Sequence, residues 1–213
     1  MVRKISLVMI LLLAGLALSG EVRAAAAGEP ARSRWLREAG INLGYGTGST
    51  KEGSYEFVSV LPRVGIDLGE VFGLLGLKPP GTLEVVLEPL ANVVIEPDLD
   101  LEAGAGLLFK YGWRIGRFMP YIEGGAGVVS MNELVREQAG GCNFIPQIGP
   151  GLHYFLTPNW ALTASYRFRH LSDCGLDERN HGINSSLFLV GASFIYAPDG
   201  PPGFTSRSNG EHY

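Results

Sequence analysis

Apolar and polar residues alternate along most of this chain with a period of two, clearest between Asn143 and Leu171. Even positions read Phe144, Pro146, Ile148, Pro150, Leu152, Tyr154 and then Trp160, Leu162, Ala164, Tyr166, Phe168. Odd positions carry Asn143, Gln147, Gly149, His153 and then Thr163, Ser165, Arg167, Arg169. Successive side chains of a strand point to opposite faces, so this pattern predicts strands with one apolar and one polar face. Eight such stretches are long enough to span a membrane: about Trp35 to Gly48, Tyr55 to Leu68, Thr82 to Ile95, Leu99 to Trp113, Phe118 to Ser130, Asn143 to Phe155, Trp160 to Leu171 and Ile183 to Tyr196. Turn residues separate them, as in Gly46-Thr47-Gly48-Ser49, Lys78-Pro79-Pro80-Gly81, Glu96-Pro97-Asp98, Gly140-Gly141 and Thr157-Pro158-Asn159. Many strands at regular spacing fit a sandwich or a barrel. In a soluble sandwich the apolar face is the core; in a membrane barrel it meets lipid and the arginines point into the lumen. Alternation alone does not choose between the two.

The amino terminus and the aromatics choose the barrel. Arg3 and Lys4 precede an uncharged apolar run from Ile5 to Leu18, and small residues follow, with Val22-Arg23-Ala24 as a cleavage site. That is a signal-peptide layout, expected over residues 1–24, with a linker over 25–33 and a mature chain of roughly 185 to 190 residues. An even strand count in an exported chain favours a closed outer-membrane barrel, since closure removes exposed strand edges. Tyr154, Phe155, Trp160 and Tyr196 near strand ends fit interfacial girdles. The fold expected is therefore all-β: an eight-stranded antiparallel transmembrane barrel over residues 34–197, with a disordered tail over 198–213 rich in proline and glycine.

Composition narrows the function classes. The net charge is −4 and no basic stripe is interleaved with aromatics, so nucleic acid is not an expected partner. Neither cysteine sits in a CxxC or histidine-rich spacing, so neither zinc nor another metal or cofactor is implied. A hairpin centred on Pro158 pairs Leu156 with Trp160 and, counted outward, sets Cys142 opposite Cys174. Cross-strand neighbours lie about 4.5–5.5 Å apart, which predicts a Cys142–Cys174 disulfide in an oxidising compartment. Glu84, Glu88, Glu102, Lys110, Arg114, Arg167 and Arg169 read as a paired lumen network, and His153 as a lumen residue. Gly104 and Gly106, like Gly124 to Gly127, read as small residues in packed strands, because no helix follows them as a phosphate loop requires.

One segment stands apart: His170-Leu171-Ser172-Asp173-Cys174-Gly175, followed by Asn180-His181-Gly182-Ile183-Asn184. His170 and Ser172 are two apart on a strand and share the face that carries Trp160, Leu162, Tyr166 and Phe168. A serine acting as nucleophile needs a base, and a hydrolase of amphipathic lipids needs both where acyl chains lie. The segment resembles the signature of the lipid A 3-O-deacylase (PagL-like) family, His-x-Ser-Asn-Ala-Gly and then Asn-x-Gly. The similarity extends through Phe118 to Gly127, Asn143 to Gly149 and Leu187 to Phe194. It implies an eight-stranded barrel with a lipid-facing active site that removes an ester-linked acyl chain from lipid A of lipopolysaccharide. By the same resemblance Ser172 is the nucleophile, His170 its base, and backbone N–H groups near Asp173 to Gly175 hold the oxyanion.

The sequence departs from that signature in three places. Asn184 stands where the family's best-known members carry a glutamate; a hairpin centred on Asp177 still sets it opposite His170. Asparagine can orient the ring without opposing its charge, and Asp177 and Glu178 are the loop alternatives for that role. Asp173 replaces an asparagine and Cys174 an alanine. These features also frame the competing class, a structural outer-membrane barrel of the same family that does no chemistry. A small pore is disfavoured because side chains fill the interior of eight strands. Lipopolysaccharide and outer-membrane lipids are the partners implied, and the sequence leaves open whether copies of the chain form a homo-oligomer.

Overall fold

The computed structural model describes residues 35–50, 53–76, 80–131, 141–172 and 182–196. The expected signal peptide, linker and tail, the loop residues Asp177, Glu178 and His181, and the expected oxyanion residues Asp173 and Gly175 all lie outside them. So does the expected disulfide, since neither Cys174 nor the Cys142 side chain is among the described atoms.

Eight antiparallel strands close into one barrel in which each strand pairs with its sequence neighbours and β1 closes on β8. They are β1 Leu36–Ser49, β2 Ser54–Asp67, β3 Thr82–Glu96, β4 Asp100–Gly112, β5 Phe118–Met131, β6 Gly141–Phe155, β7 Trp160–Leu171 and β8 Ile183–Ile195. At 12 to 15 residues each exceeds the roughly 9 to 11 that a tilted spanning strand needs. A one-turn helix, α1, Gly69–Leu74, sits in the connection from β2 to β3. It leaves no mark in the pattern of residues: six positions interrupted by glycine are too few for helical periodicity to register.

Registers follow the turns. Leu156 N–H donates to the Trp160 carbonyl at 2.9 Å, and β6 and β7 then pair Gln147 with Arg169 and Ile148 with Phe168. The pairing reaches Phe144 and Ser172, which exchange two backbone bonds of 2.6 and 3.0 Å.

The polarity of the two faces is that of a membrane barrel. The outside carries exposed Ile41, Leu43, Val60, Leu87, Val93, Leu107, Phe109, Ile148, Phe168, Phe188 and Val190. At the end of the barrel bearing both strand termini, aromatics form a ring: Tyr111 with Trp113, Phe118 with Tyr154, Trp160 with Phe194, and Phe194 with Tyr196. Phe155 does not belong to it. It occupies an inward position and is fully buried, because its odd number places it on the lumen face of β6. Arg114 stacks on its ring at 3.5 Å and donates to the carbonyls of Gly116 and Pro158. Contrary to the expectation, Arg114 is thus not part of the lumen network but covers that end of the barrel.

The lumen is filled, not open. Arg63 and Arg167 both reach Glu123, at 2.7 and 2.8 Å, and Arg167 also grips Glu88. Arg63 lies 3.2 Å from Glu38, which Lys110 and Ser193 also contact; Lys110 bridges to Glu84 at 3.1 Å. Nearer the other end Glu102 accepts from Tyr55, from Asn92 at 2.7 Å and from Arg169 at 2.7 Å. His153 is buried beside Lys110 and Glu38 at the first end, a lumen residue as expected, bonded to Thr163 at 2.9 Å. Glycines make room for this bulk: a Cβ on Gly46 would fall inside the Phe57 ring, and one on Gly151 inside Tyr121.

Candidate active site

β7 and β8 bring three of the singled-out residues together on the outer surface. Their register pairs His170 with Asn184, Phe168 with Ser186 and Tyr166 with Phe188. All six have even numbers, and on both strands the odd positions are those buried in the barrel, among them Arg167, Arg169, Ser185 and Leu187. His170, Asn184 and Ser172, which is two residues beyond His170, therefore project from the barrel at the rim remote from the start of β1 and the end of β8. Below them the same face is apolar and aromatic, with Phe168, Phe188 and Val190 exposed and the Tyr166 ring 5.3 Å from Phe188.

The histidine is oriented. Its Nδ1 lies 2.7 Å from Asn184 Oδ1. With the amide oxygen turned to the ring, Nδ1 donates its proton and the Nε2 lone pair remains as a base. The opposite hairpin arm supplies a second contact. Gly182, immediately before β8, adopts φ +65°, and a Cβ built on it would lie 2.6 Å from His170 Cε1 and 2.9 Å from Nε2. The Asn-x-Gly spacing marked this glycine in the sequence, but nothing there said what it touches.

Ser172 is half-buried, and its backbone is tied to Phe144 of the neighbouring strand. On the other flank β1 sets Ser49 opposite Asn184 and Thr47 opposite Ser186, so polar residues continue around the rim toward Tyr45, whose hydroxyl donates to Glu56 at 2.7 Å. The two candidate oxyanion positions, Asp173 and Gly175, follow directly in the chain outside the described residues. Among the described residues no group of histidine, cysteine and carboxylate side chains could hold a metal ion. An apolar cavity of about 380 Å³ opens elsewhere, around Gly124 between Phe109, Ile122 and Ile148, and its lining contains no serine, cysteine or histidine.

Sequence reasoning missed other members of the polar interior. Glu38, Arg63, Glu123, Tyr55 and Asn92 hold the lumen together as much as the residues it named. Each occupies an inward position, so parity was the signal that could have found them.

Comparison with known proteins agrees with this geometry. Residues 78–193, more than half of the chain, match the family described as lipid A 3-O-deacylase (PagL). No curated protein matches the sequence. Among solved structures the barrel is similar to the outer membrane enzyme PagL, with 19% identity, a TM-score of 0.55, and coverage of 70% of this chain and 97% of that one. It is also similar to Neisserial surface protein A, with 14% identity, a TM-score of 0.51, and coverage of 75% and 96%. A closed eight-stranded barrel with an apolar exterior and a charged, paired interior is at home only in a membrane. The chain is an outer-membrane β-barrel and belongs to the lipid A 3-O-deacylase (PagL) family.

Proposed function

We propose that this barrel is an ester hydrolase that removes the 3-O-linked acyl chain of lipid A at the outer membrane surface. The observation that carries the proposal is the 2.7 Å bond between His170 Nδ1 and Asn184 Oδ1 on the lipid-facing wall, two residues along the chain from Ser172. A histidine and a serine on such a face cost free energy unless their polar atoms are engaged. An oriented imidazole with a free Nε2 next to a hydroxyl is the minimal apparatus for activating a nucleophile.

In this reading Nε2 of His170 takes the Ser172 hydroxyl proton as Oγ attacks the acyl carbonyl. The tetrahedral intermediate collapses, the proton passes from Nε2 to the departing sugar oxygen, and the acyl group stays on Ser172. Water then attacks the acyl-serine with His170 again as base, and the fatty acid leaves. Backbone N–H groups around Asp173 and Gly175 are assigned to the oxyanion, as the sequence resemblance implies. Asn184 holds the ring in the productive tautomer but, being neutral, does not offset the charge of the imidazolium. With the chain termini on the periplasmic side, the rim bearing His170 faces the leaflet that holds lipopolysaccharide, and an acyl chain lies along Phe168, Phe188 and Val190.

A serine-directed fluorophosphonate tests the activated nucleophile on the folded protein in detergent. Labelling is expected on Ser172 and is expected to disappear in His170→Ala. No labelling of a correctly folded wild-type barrel would instead favour the structural reading, to which the neutral Asn184 already points.

A further inference from the structure

A second contact on His170, beside that of Asn184, is made by a residue without a side chain. Gly182 has φ +65°, a left-handed conformation that glycine adopts freely, asparagine tolerates and alanine disfavours. Independently of φ, a Cβ at this position would stand 2.6 Å from Cε1 and 2.9 Å from Nε2 of His170. Real Cβ atoms do not approach other heavy atoms so closely, so something would have to move.

The backbone is poorly placed to yield. The next residue, Ile183, pairs with Leu171 and is buried in the core cluster with Leu171 and Leu187. Gly182 itself is backed by the Leu171 carbonyl, 3.4 Å from the same Cβ position. The imidazole is a terminal group on the outer face and is free to swing. Relief would therefore come from rotation of the ring, and rotation lifts Nδ1 off Asn184 Oδ1.

We propose that Gly182 is a positioning residue: its bare Cα is the wall against which the Cε1–Nε2 side of the His170 ring rests while Asn184 holds Nδ1. Contacts at separate ring atoms fix the ring's rotation, whereas one hydrogen bond leaves it free to pivot. The proposal rests on the reading of His170 as base for its kinetic consequence, but the contact itself does not.

Two variants separate the wall from the backbone conformation. Gly182→Asn accepts the left-handed φ and still carries a Cβ, whereas Gly182→Ala carries the Cβ and the backbone penalty together. For the ¹⁵N-histidine-labelled barrel in micelles, wild-type His170 is expected to show a single Nδ1–H tautomer and a nuclear Overhauser contact between its Hε1 and the Gly182 α-protons. Both variants are expected to lose the single tautomer. With lipid A as substrate, kcat is expected to fall about 10- to 100-fold in each, the scale of a misplaced catalytic group, with KM little changed. Wild-type tautomer and kcat in Gly182→Asn would overturn the proposal, because the glycine would then serve only the turn. Absence of the Overhauser contact in the wild type would overturn it without any variant, should both variants fail to fold. If the wild type hydrolyses nothing yet the variants still lose the tautomer, the hydrolase reading fails and the positioning contact stands.

Discussion

The lumen and the outer rim of this barrel both place polar side chains where water is scarce, and they do so in opposite ways. Inside, carboxylates of the lumen cluster are shared among cations and donors: Glu123 by Arg63 and Arg167, and Glu102 by Tyr55, Asn92 and Arg169. Outside, among the described residues, His170 meets the neutral Asn184 and a bare glycine. A buried ionic lattice of the first kind fixes a structure, because removing one member strands the others. An exposed pair of the second kind contributes little to folding and leaves a nitrogen lone pair available. Polarity alone does not distinguish scaffold from site; the difference lies in whether the polar atoms are already used by one another.

That contrast can be broken from either side. The largest effect on stability is expected from Glu123→Ala, which leaves Arg63 and Arg167 short of a counter-ion. A loss of about 3–5 kcal/mol is anticipated, the usual cost of breaking a buried pair, read as a lower denaturant midpoint for the barrel in lipid vesicles. Hydrolysis per folded molecule should not change; an unaltered midpoint would mean that the lumen lattice does not hold the barrel. On the rim the expectation reverses. Asn184→Ala should leave the midpoint in place and lower kcat about 10- to 100-fold, equivalent to roughly 1.4–2.7 kcal/mol, as the ring loses its tautomer. Smallest of the three, Asn184→Glu should raise kcat about threefold, or roughly 0.7 kcal/mol, by setting a charge against the imidazolium. A fall in kcat with glutamate would show that the site is tuned to a neutral partner.

Much of this was legible in the sequence for reasons that can be named. Pro158 centres a tight hairpin, so counting outward from it gave the register of β6 on β7; counting from Asp177 gave His170 opposite Asn184. The period of two then put His170, Ser172 and Asn184 on the outside. The same parity rule contradicts the assignment of Phe155 to the aromatic girdle, where closeness to the strand end outweighed its odd position. Arg114 was grouped with the lumen by its charge alone, although it stands in the turn after β4 and covers Phe155 from below. Arg63 and Glu123 are harder to read, because each is a lone charge among glycines and aliphatics and their pairing joins β2 to the distant β5. The role of Gly182 could not be read at all, since it depends on where a ring fourteen residues from Asn184 comes to rest.

The most direct test of the central claim, that the lipid-facing rim is a working active site, is mass spectrometry of lipid A from cells expressing this chain beside cells expressing Ser172→Ala. Loss of one 3-O-linked hydroxyacyl chain from lipid A with the wild type alone is the predicted result. Identical lipid A in the two strains, with both barrels folded in the outer membrane, would contradict it.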